Sequence, residues 1–411
     1  MTMPRGAGER TGVGHGHARY SFRVRVSSTA LEGLLKEWAR CRWVWNECVA
    51  TSRTAHTSGT SSERRPACGP ALLDKMLTEA RARLEWLRAG SSVAQQQVVR
   101  DFAKARAKAL KDRGDGLPAH RRAGFPRFKK KDTSRPSMNY TRRGFRLKNG
   151  RLHLAGGITL TVVWSRELGA EPSSVRIHQD SVGDWYASFV VPGRAEPLPK
   201  TGRTLGVDWG VRDIATTTSD AHDLPHPEHG RAARKEIGRY QRMMARRKPA
   251  EGQAASRGYR EAKRQVAKVY RKVARRRQDG ARKWAKSVMR DHDVIAVEDF
   301  RPRFLARSSL ARKAADAAIG AARTALLDMA RKHGRDVRLI PPVHTTMDCA
   351  ECGARAKRPL ALSERIYTCT ACGATSPRDK NSARVMLVRA GLVPVGADGA
   401  RPGGTRFRRA T

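Results

Sequence analysis

The sequence predicts a multidomain α/β chain: a small β-barrel interrupted by helices, then an α/β core interrupted by a four-cysteine finger. Three observations predict it. Short strand patterns with turn signals occupy residues 20–27 and 145–192. From Thr204 onward, apolar strands alternate with helical stretches. Cys349, Cys352, Cys369 and Cys372 form two Cys-x2-Cys pairs with 16 residues between them. A chain of 411 residues can bury several cores, and two to four domains are expected.

Residues 20–27 alternate apolar and polar and predict one half-buried strand. A helix follows, with Thr29 and Glu32 as a capping box and Leu31, Leu34, Leu35, Trp38 and Trp45 on one face. Cys41 and Cys48, seven apart on that helix, belong to its core. Residues 51–70 are rich in Ser, Thr, Gly and Pro and predict a loop. Amphipathic helices are expected over 71–88 and 92–112. Strands return at Ile158–Val163 and Trp185–Val191, with turns at Lys148-Asn149-Gly150 and Gly183-Asp184, and Pro192–Pro199 reads as a linker. The second half predicts strands at 204–208 and 213–218, a basic helical region over 229–290 and a strand at 293–298. A helix at 311–333, a strand at 337–341, the finger, and a helix from 379 to about 390 stopped by Gly391 complete it. Residues 1–19 and the Gly- and Arg-rich tail 395–411 are expected to be disordered.

Charge narrows the partners. Lys and Arg total 83 against 38 Asp and Glu, a net charge of +45. Such an excess repels itself unless a polyanion neutralises it, and nucleic acid is the expected partner. No run of 18 apolar residues exists, and residues 1–19 lack the apolar core of a signal peptide, so a soluble, cytosolic protein without a membrane partner is expected. Residues 121–148 hold eleven Lys or Arg, one Asp, and Phe125, Phe128, Tyr140 and Phe145. That mixture suits phosphate gripping and base stacking, with Arg121, Arg122, Arg127, Lys129, Lys130, Lys131, Tyr140, Arg142 and Arg143 as candidate contacts. Between Arg231 and Arg290 there are 22 Lys or Arg against four acids. Arg271, Lys272, Arg275 and Arg276 are the candidates there for lining a groove along a duplex backbone. Neither stretch carries a helix-turn-helix or RNA-recognition signature.

Three carboxylates stand out by context. Asp208 interrupts the apolar strand Leu-Gly-Val-Asp-Trp, which is costly unless the group is paired or metal-bound. Glu298 ends the strand Val-Ile-Ala-Val, and Asp379 opens the last helix, where an N-cap role is the ordinary alternative. Strand, hairpin partner, long helical connection, strand ending in Glu, then helix beginning with Asp is the order of an RNase H-like core. There the three acids converge over one sheet edge and can hold two Mg²⁺ ions about 4 Å apart, with Mn²⁺ as a substitute, for phosphodiester hydrolysis. The four cysteines have the spacing of a zinc ribbon binding one structural Zn²⁺. Gly353 and Gly373 permit the knuckle turns, and His344 is left out because four thiolates complete the sphere.

These residues resemble a known family. Gly206-Val-Asp-Trp-Gly210, Val297-Glu-Asp-Phe300, the four cysteines and Arg378-Asp-Lys-Asn-Ser-Ala383 are similar to motifs of the transposon-encoded TnpB proteins and of their CRISPR descendants, the miniature type V effector nucleases. Arg42-Trp-Val-Trp-Asn46, Gly124-Phe-Pro-Arg-Phe-Lys129 and Gly183-Asp-Trp-Tyr-Ala-Ser-Phe189 extend the likeness over roughly residues 20–392. The resemblance implies an RNA-guided DNA endonuclease with guide RNA and target DNA as partners, the protein reading a short flanking motif. It implies a RuvC core in which Asp208, Glu298 and Asp379 are the catalytic, metal-binding acids. The family's third motif reads Asp-Arg-Asp-x-Asn-Ala-Ala; here Pro377 replaces the first Asp and Ser382 the first Ala. The implied domains are a wedge-like barrel (20–34 and 118–197), a helical recognition segment (35–117), the nuclease domain (202–342 and 374–394) and the ribbon (343–373). The alternative from another class is a guided DNA-binding protein, repressor-like, with little or no cleavage. An unguided zinc protein would leave the acids unused, and a strand-transfer transposase normally ends its triad with Glu.

Overall fold

Alternating apolar and polar side chains along His17–Arg25 make the first strand, β1, with Phe22 and Val24 turned inward. The computed structural model describes residues 16–57, 68–299, 310–361 and 363–392, in two compact units divided after Pro192. Residues 17–19 are therefore strand, a correction to the expected disordered start. Residues 1–15 and the tail 395–411 lie outside the described residues.

Helix α1 (Ser28–Thr57) is capped by Ser27, whose Oγ accepts from the Ala30 amide at 3.2 Å. The Thr29–Glu32 box does not form, and Glu32 pairs with Lys36 at 2.7 Å. The buried stripe runs Leu34, Trp38, Cys41, Val44 and Cys48, while Leu31 and Leu35 fall on its exposed rim. Residues 51–57 are helical rather than loop. Of the rest of that expected loop, residues 58–67 lie outside the described residues and Pro70 already opens a helix. The expected helix over 71–88 is broken by extended backbone at Leu84 into α2 (Pro70–Arg83) and α3 (Glu85–Arg88). Ser91 caps α4 (Ser92–Gly114).

Six more strands complete this unit: β2 (Ser137–Thr141), β3 (Phe145–Lys148), β4 (Arg151–Leu154), β5 (Ile158–Val162), β6 (Ser174–Gln179) and β7 (Trp185–Pro192). They form a seven-stranded sheet in the order β2-β6-β7-β1-β5-β4-β3. The two end strands are joined by the short turn Arg142–Gly144, which draws the sheet edges back toward each other into a near-barrel. Phe22, Leu160, Ile177 and Phe189 of the sheet share one core with Leu34, Leu87 and Phe102 of the helices.

The second unit opens with β8 (Thr204–Trp209), β9 (Asp213–Thr217) and β10 (Leu224–Pro225). Helices α5 (His229–Ala232), α6 (Arg234–Arg246) and α7 (Arg257–Asp291) lead to β11 (Val294–Glu298). Then come α8 (Ala311–Ala317), α9 (Ile319–His333), β12 (Asp336–Ile340), the hairpin of β13 (Ile366–Thr368) and β14 (Thr375–Pro377), and α10 (Arg378–Arg389). The expected single helix over 311–333 breaks at Ala318, whose φ is +53°. Beside the break, Asp316 accepts from the Gly230 and Arg231 amides at 2.7 and 2.8 Å and pairs with Arg277 at 2.5 Å. These contacts tie α8 to α5 and α7.

The sheet order is β10-β9-β8-β11-β12, with β8, β11 and β12 parallel and β9 antiparallel to β8. One face carries Leu205, Val207, Ile295 and Val297 against Trp284, Ala285 and Val288 of α7 and Ala322 and Leu326 of α9. The other carries Ala296 and Ile340 against Met386 and Leu387 of α10. Gly206 lies on this second face, where any Cβ would collide with the Ala383 carbonyl of α10. Glycine is thus the residue that lets α10 sit directly on β8.

Candidate active site and metal centre

Side chains alternate between the two faces of a strand, and this alternation places the acids. Val207 faces the α7–α9 core, so Asp208 shares the α10 face with Gly206. In β11, Val297 faces that core, so Glu298 shares the α10 face with Ala296. Val207 and Val297 are register partners in the parallel pair. The two acids follow them at one level, on strands separated by about 5 Å. Asp379 is the second residue of α10, one turn before the Ala383 contact with Gly206.

The electrostatics follow from this placement. Burial first, then the negative charges of Glu298 and Asp379, push the Asp208 carboxyl well above the ordinary carboxylate range, and Arg378 opposes them. Glu298 is 7% exposed. Burial raises its carboxyl to about 7, with a backbone hydrogen bond from Trp209 opposing and the charge of Asp299 adding. An anionic cluster crowded enough to favour protonation is one that a cation would relieve. Asp299 turns to Arg323 at 2.8 Å, and Phe300 lies outside the described residues.

Each residue around Asp379 has a task in the fold. The Arg378 amide donates to Arg365 O at 2.8 Å and its guanidinium to Ala361 O at 3.0 Å. The Lys380 ammonium donates to Thr217 O at 2.9 Å and Asp223 Oδ2 at 2.8 Å. Asn381 donates to Asp348 O at 2.8 Å and accepts from the Ala350 amide at 3.1 Å, clamping the first cysteine knuckle. Ser382 is fully buried, and its hydroxyl finds no partner among the described residues. The expected helix start at 379 moves to Arg378, with Pro377 in the cap position.

The four cysteines converge. Their sulfurs all lie within 4.8 Å of one another, with Cys349–Cys372 at 3.8 Å and Cys352–Cys369 at 3.6 Å. A disulfide needs about 2.0 Å. Four thiolates about 2.3 Å from a tetrahedral ion stand about 3.8 Å apart, close to the Cys349–Cys372 and Cys352–Cys369 separations. The two knuckles repeat each other: Gly353 and Gly373 donate to Cys349 O and Cys369 O at 3.0 and 2.9 Å, with φ of +73° and +75°. Among the described residues no other group of three or more potential ligands is drawn together as closely. The carboxylates are within electrostatic reach of one another and are not such a closed shell.

The basic candidates divide. Arg121, Arg122, Arg127, Lys130, Lys131, Arg142 and Arg143 are exposed, Arg142 being paired with Glu171. Tyr140 is a correction: it is fully buried in the sheet core, because β2 turns Met138 and Tyr140 to the same inward face, and it cannot stack on a base. Lys129 is another. Its ammonium sits 3.7 Å from the Trp45 ring centroid, while its amide donates to Asn46 Oδ1 at 2.8 Å. Trp45 Nε1 donates to Arg127 O at 2.9 Å, so the segment containing Phe125 and Phe128 is strapped across α1. Both phenylalanines are exposed, with the Arg113 and Arg53 guanidiniums over their faces. On α7, Lys272, Arg275 and Arg276 are exposed and Arg271 is half-buried, on a helix whose buried stripe contains Val269 and Val273.

Sequence reading missed the positions that hold the acids in place. Gly206 and Asn381 lie inside the recognised motifs, where a signal exists, whereas Lys380 fills the variable position of the third motif. Their partners Thr217, Asp223 and Asp348 carried none, because only the fold brings them near.

Residues 175–308 match the family model OrfB_IS605, described as "Probable transposase", and residues 320–386 match the Cas12f1-like TNB domain. A Streptomyces pristinaespiralis protein named as an RNA-guided DNA endonuclease is 33% identical over 325 residues, covering 78% of this chain and 76% of its own. The Escherichia coli K12 protein InsQ, named likewise, is 26% identical over 367 residues, covering 84% of this chain and 86% of its own. Among solved structures, the Cas12f1–sgRNA–target DNA complex aligns at 13% identity over 90% of this chain and 98% of that one, with a TM-score of 0.46. No described helix is long and apolar enough to cross a membrane. The chain belongs to the family of these RNA-guided DNA endonucleases, the transposon-encoded TnpB proteins.

Proposed function

We propose that the protein is an RNA-guided DNA endonuclease whose RuvC-type, RNase H-like site is Asp208, Glu298 and Asp379, and whose cysteine finger is a structural zinc ribbon. One observation carries the reading. The first two acids stand at one register level on neighbouring parallel strands, on the face covered by the helix whose first turn carries the third. Three carboxylates are the hard oxygen donors that Mg²⁺ takes, and a pair of such ions supplies an activated water and a stabilised leaving oxygen for phosphodiester hydrolysis. The protein's part is to gather three anions that would otherwise repel, with Arg378 as a partial counterion. Cys349, Cys352, Cys369 and Cys372 would hold one Zn²⁺, and Asn381 and Arg378 join that ribbon to the turn bearing Asp379.

Guide RNA and target DNA are the partners in this reading. Residues 17–34 and 118–192 would form the wedge-like part, 35–117 the recognition helices, 202–342 and 374–394 the nuclease domain, and 343–373 the ribbon. Arg121, Arg122, Arg127, Lys130, Lys131, Arg142 and Arg143 would meet phosphates in the first unit, and Arg271, Lys272, Arg275 and Arg276 in the second. Binding should weaken steeply with salt.

The test is to purify the protein with its bound RNA and add matching target DNA with Mg²⁺. Cutting that stops with Asp208→Ala while target binding persists supports the reading. Binding without cutting in the wild type would make the protein a guided binder, and absence of bound RNA would remove the guide altogether.

A further inference from the structure

The turn that presents Asp379 has no side-chain cap of its own, since Pro377 stands in the cap position and makes no such hydrogen bond. Lys380 supplies an anchor. Its ammonium reaches Thr217 O at 2.9 Å, Asp223 Oδ2 at 2.8 Å and Asp220 Oδ1 at 2.5 Å, one acceptor for each of its three protons. Asp220 is nearly fully exposed and adds little; Thr217 and Asp223 are the held partners.

These acceptors are fixed from behind. Asp223 Oδ1 accepts the Thr217 amide at 2.7 Å, and the Thr217 hydroxyl donates to Ser219 O at 2.6 Å. His222 meets Ser219 Oγ at 3.2 Å and Asp291 at 3.0 Å through its two ring nitrogens, and Trp284 Nε1 donates to His222 O at 2.7 Å. Thr217 adjoins Thr216, the register partner of Asp208. One lysine therefore connects the helix turn of the third acid to the strand that flanks the first. Its charge is taken up chiefly by Asp223, and Arg378 is the cation that acts on Asp208.

We propose that Lys380 is a positioning residue for divalent-metal capture: through the turn 217–223 it sets where Asp379 stands relative to Asp208. The proposal rests on the acid site proposed above. A displacement of about 1 Å at a reacting centre costs roughly 10²-fold in rate, and a partly retained anchor costs less.

The test uses full-length, RNA-loaded protein and titrates Mg²⁺ in single-turnover cleavage, alongside Mn²⁺ binding followed by electron paramagnetic resonance. Lys380→Met should lower the saturating rate about tenfold, raise the half-saturating Mg²⁺ several-fold, weaken Mn²⁺ binding and leave target binding unchanged. Lys380→Arg should recover most of the loss. Asp223→Asn should reproduce it, and the double variant should be no worse than either single one. An unaltered Mg²⁺ dependence and Mn²⁺ affinity in Lys380→Met would overturn the proposal. So would joint loss of target binding and cutting, or full additivity with Asp223→Asn. Asp208→Asn separates the two failures. If it too spares cutting and Mn²⁺ binding, the acid site is wrong; if it abolishes both while Lys380→Met changes neither, only the positioning role falls.

Discussion

The cysteine cluster and the carboxylate cluster lie on one unit, joined by the first turns of α10, yet they are built in opposite ways. The four thiols come from 24 consecutive positions, 349–372, and two matching knuckle turns shape them locally. The three acids come from β8, β11 and α10, more than 170 residues apart at the extremes, and only sheet register and helix docking unite them. A locally built site can be read from spacing alone. A globally built one depends on residues such as Gly206 that touch no ligand.

The comparison can be broken at either end, and the largest effect belongs to the acids. Asp208→Asn, Glu298→Gln and Asp379→Asn should each lower guide-directed cutting by ~10³-fold or more without weakening target binding; cleavage and filter-binding assays read both. Cys369→Ser should reduce bound zinc from one ion to none by elemental analysis. It should also slow cutting through Arg378 and Asn381, which link the ribbon to Asp379. Normal cutting by a zinc-free protein would show the clusters to be independent.

Glu298 gives an intermediate effect whose sign is fixed by linkage. Its folded value of about 7 lies above the ordinary 4.5, so between those values the folded chain binds more protons than the unfolded one. Stability should therefore fall as pH rises through that window in metal-free buffer, by at most about 3 kcal/mol for this group. Glu298→Gln should be more stable than wild type at pH 8 and nearly equal to it at pH 4.5, as urea unfolding would record. Gly206→Ala should cost about 1–3 kcal/mol and slow cutting as well, because backbone meets the added methyl and α10 must move. Ser382→Ala has the smallest effect: removing a buried, unpartnered hydroxyl should stabilise by about 1 kcal/mol with cutting retained.

Much of this was legible in the residues. Strand patterns at 204–208, 213–218 and 293–298 fall within a residue or so of β8, β9 and β11. The inward turn of Tyr140 was also legible in principle, since Met138 and Tyr140 share the strand parity that buries both. The eleven cations of residues 121–148 mask that parity. The break at Ala318 was not legible: a run of alanines favours helix, and the contacts of Asp316 with α5 and α7 lie far off in sequence. Nor was the pairing of two recognised segments, Arg42–Asn46 and Gly124–Lys129, which bind each other through Trp45, Asn46 and Lys129.

Anomalous diffraction from crystals of the RNA-loaded protein grown with Mn²⁺ would locate the bound ions relative to the three acids. Manganese density should touch the carboxylates of Asp208, Glu298 and Asp379 together. Manganese bound elsewhere, or a well-ordered site from which any one of the three turns away, would contradict it.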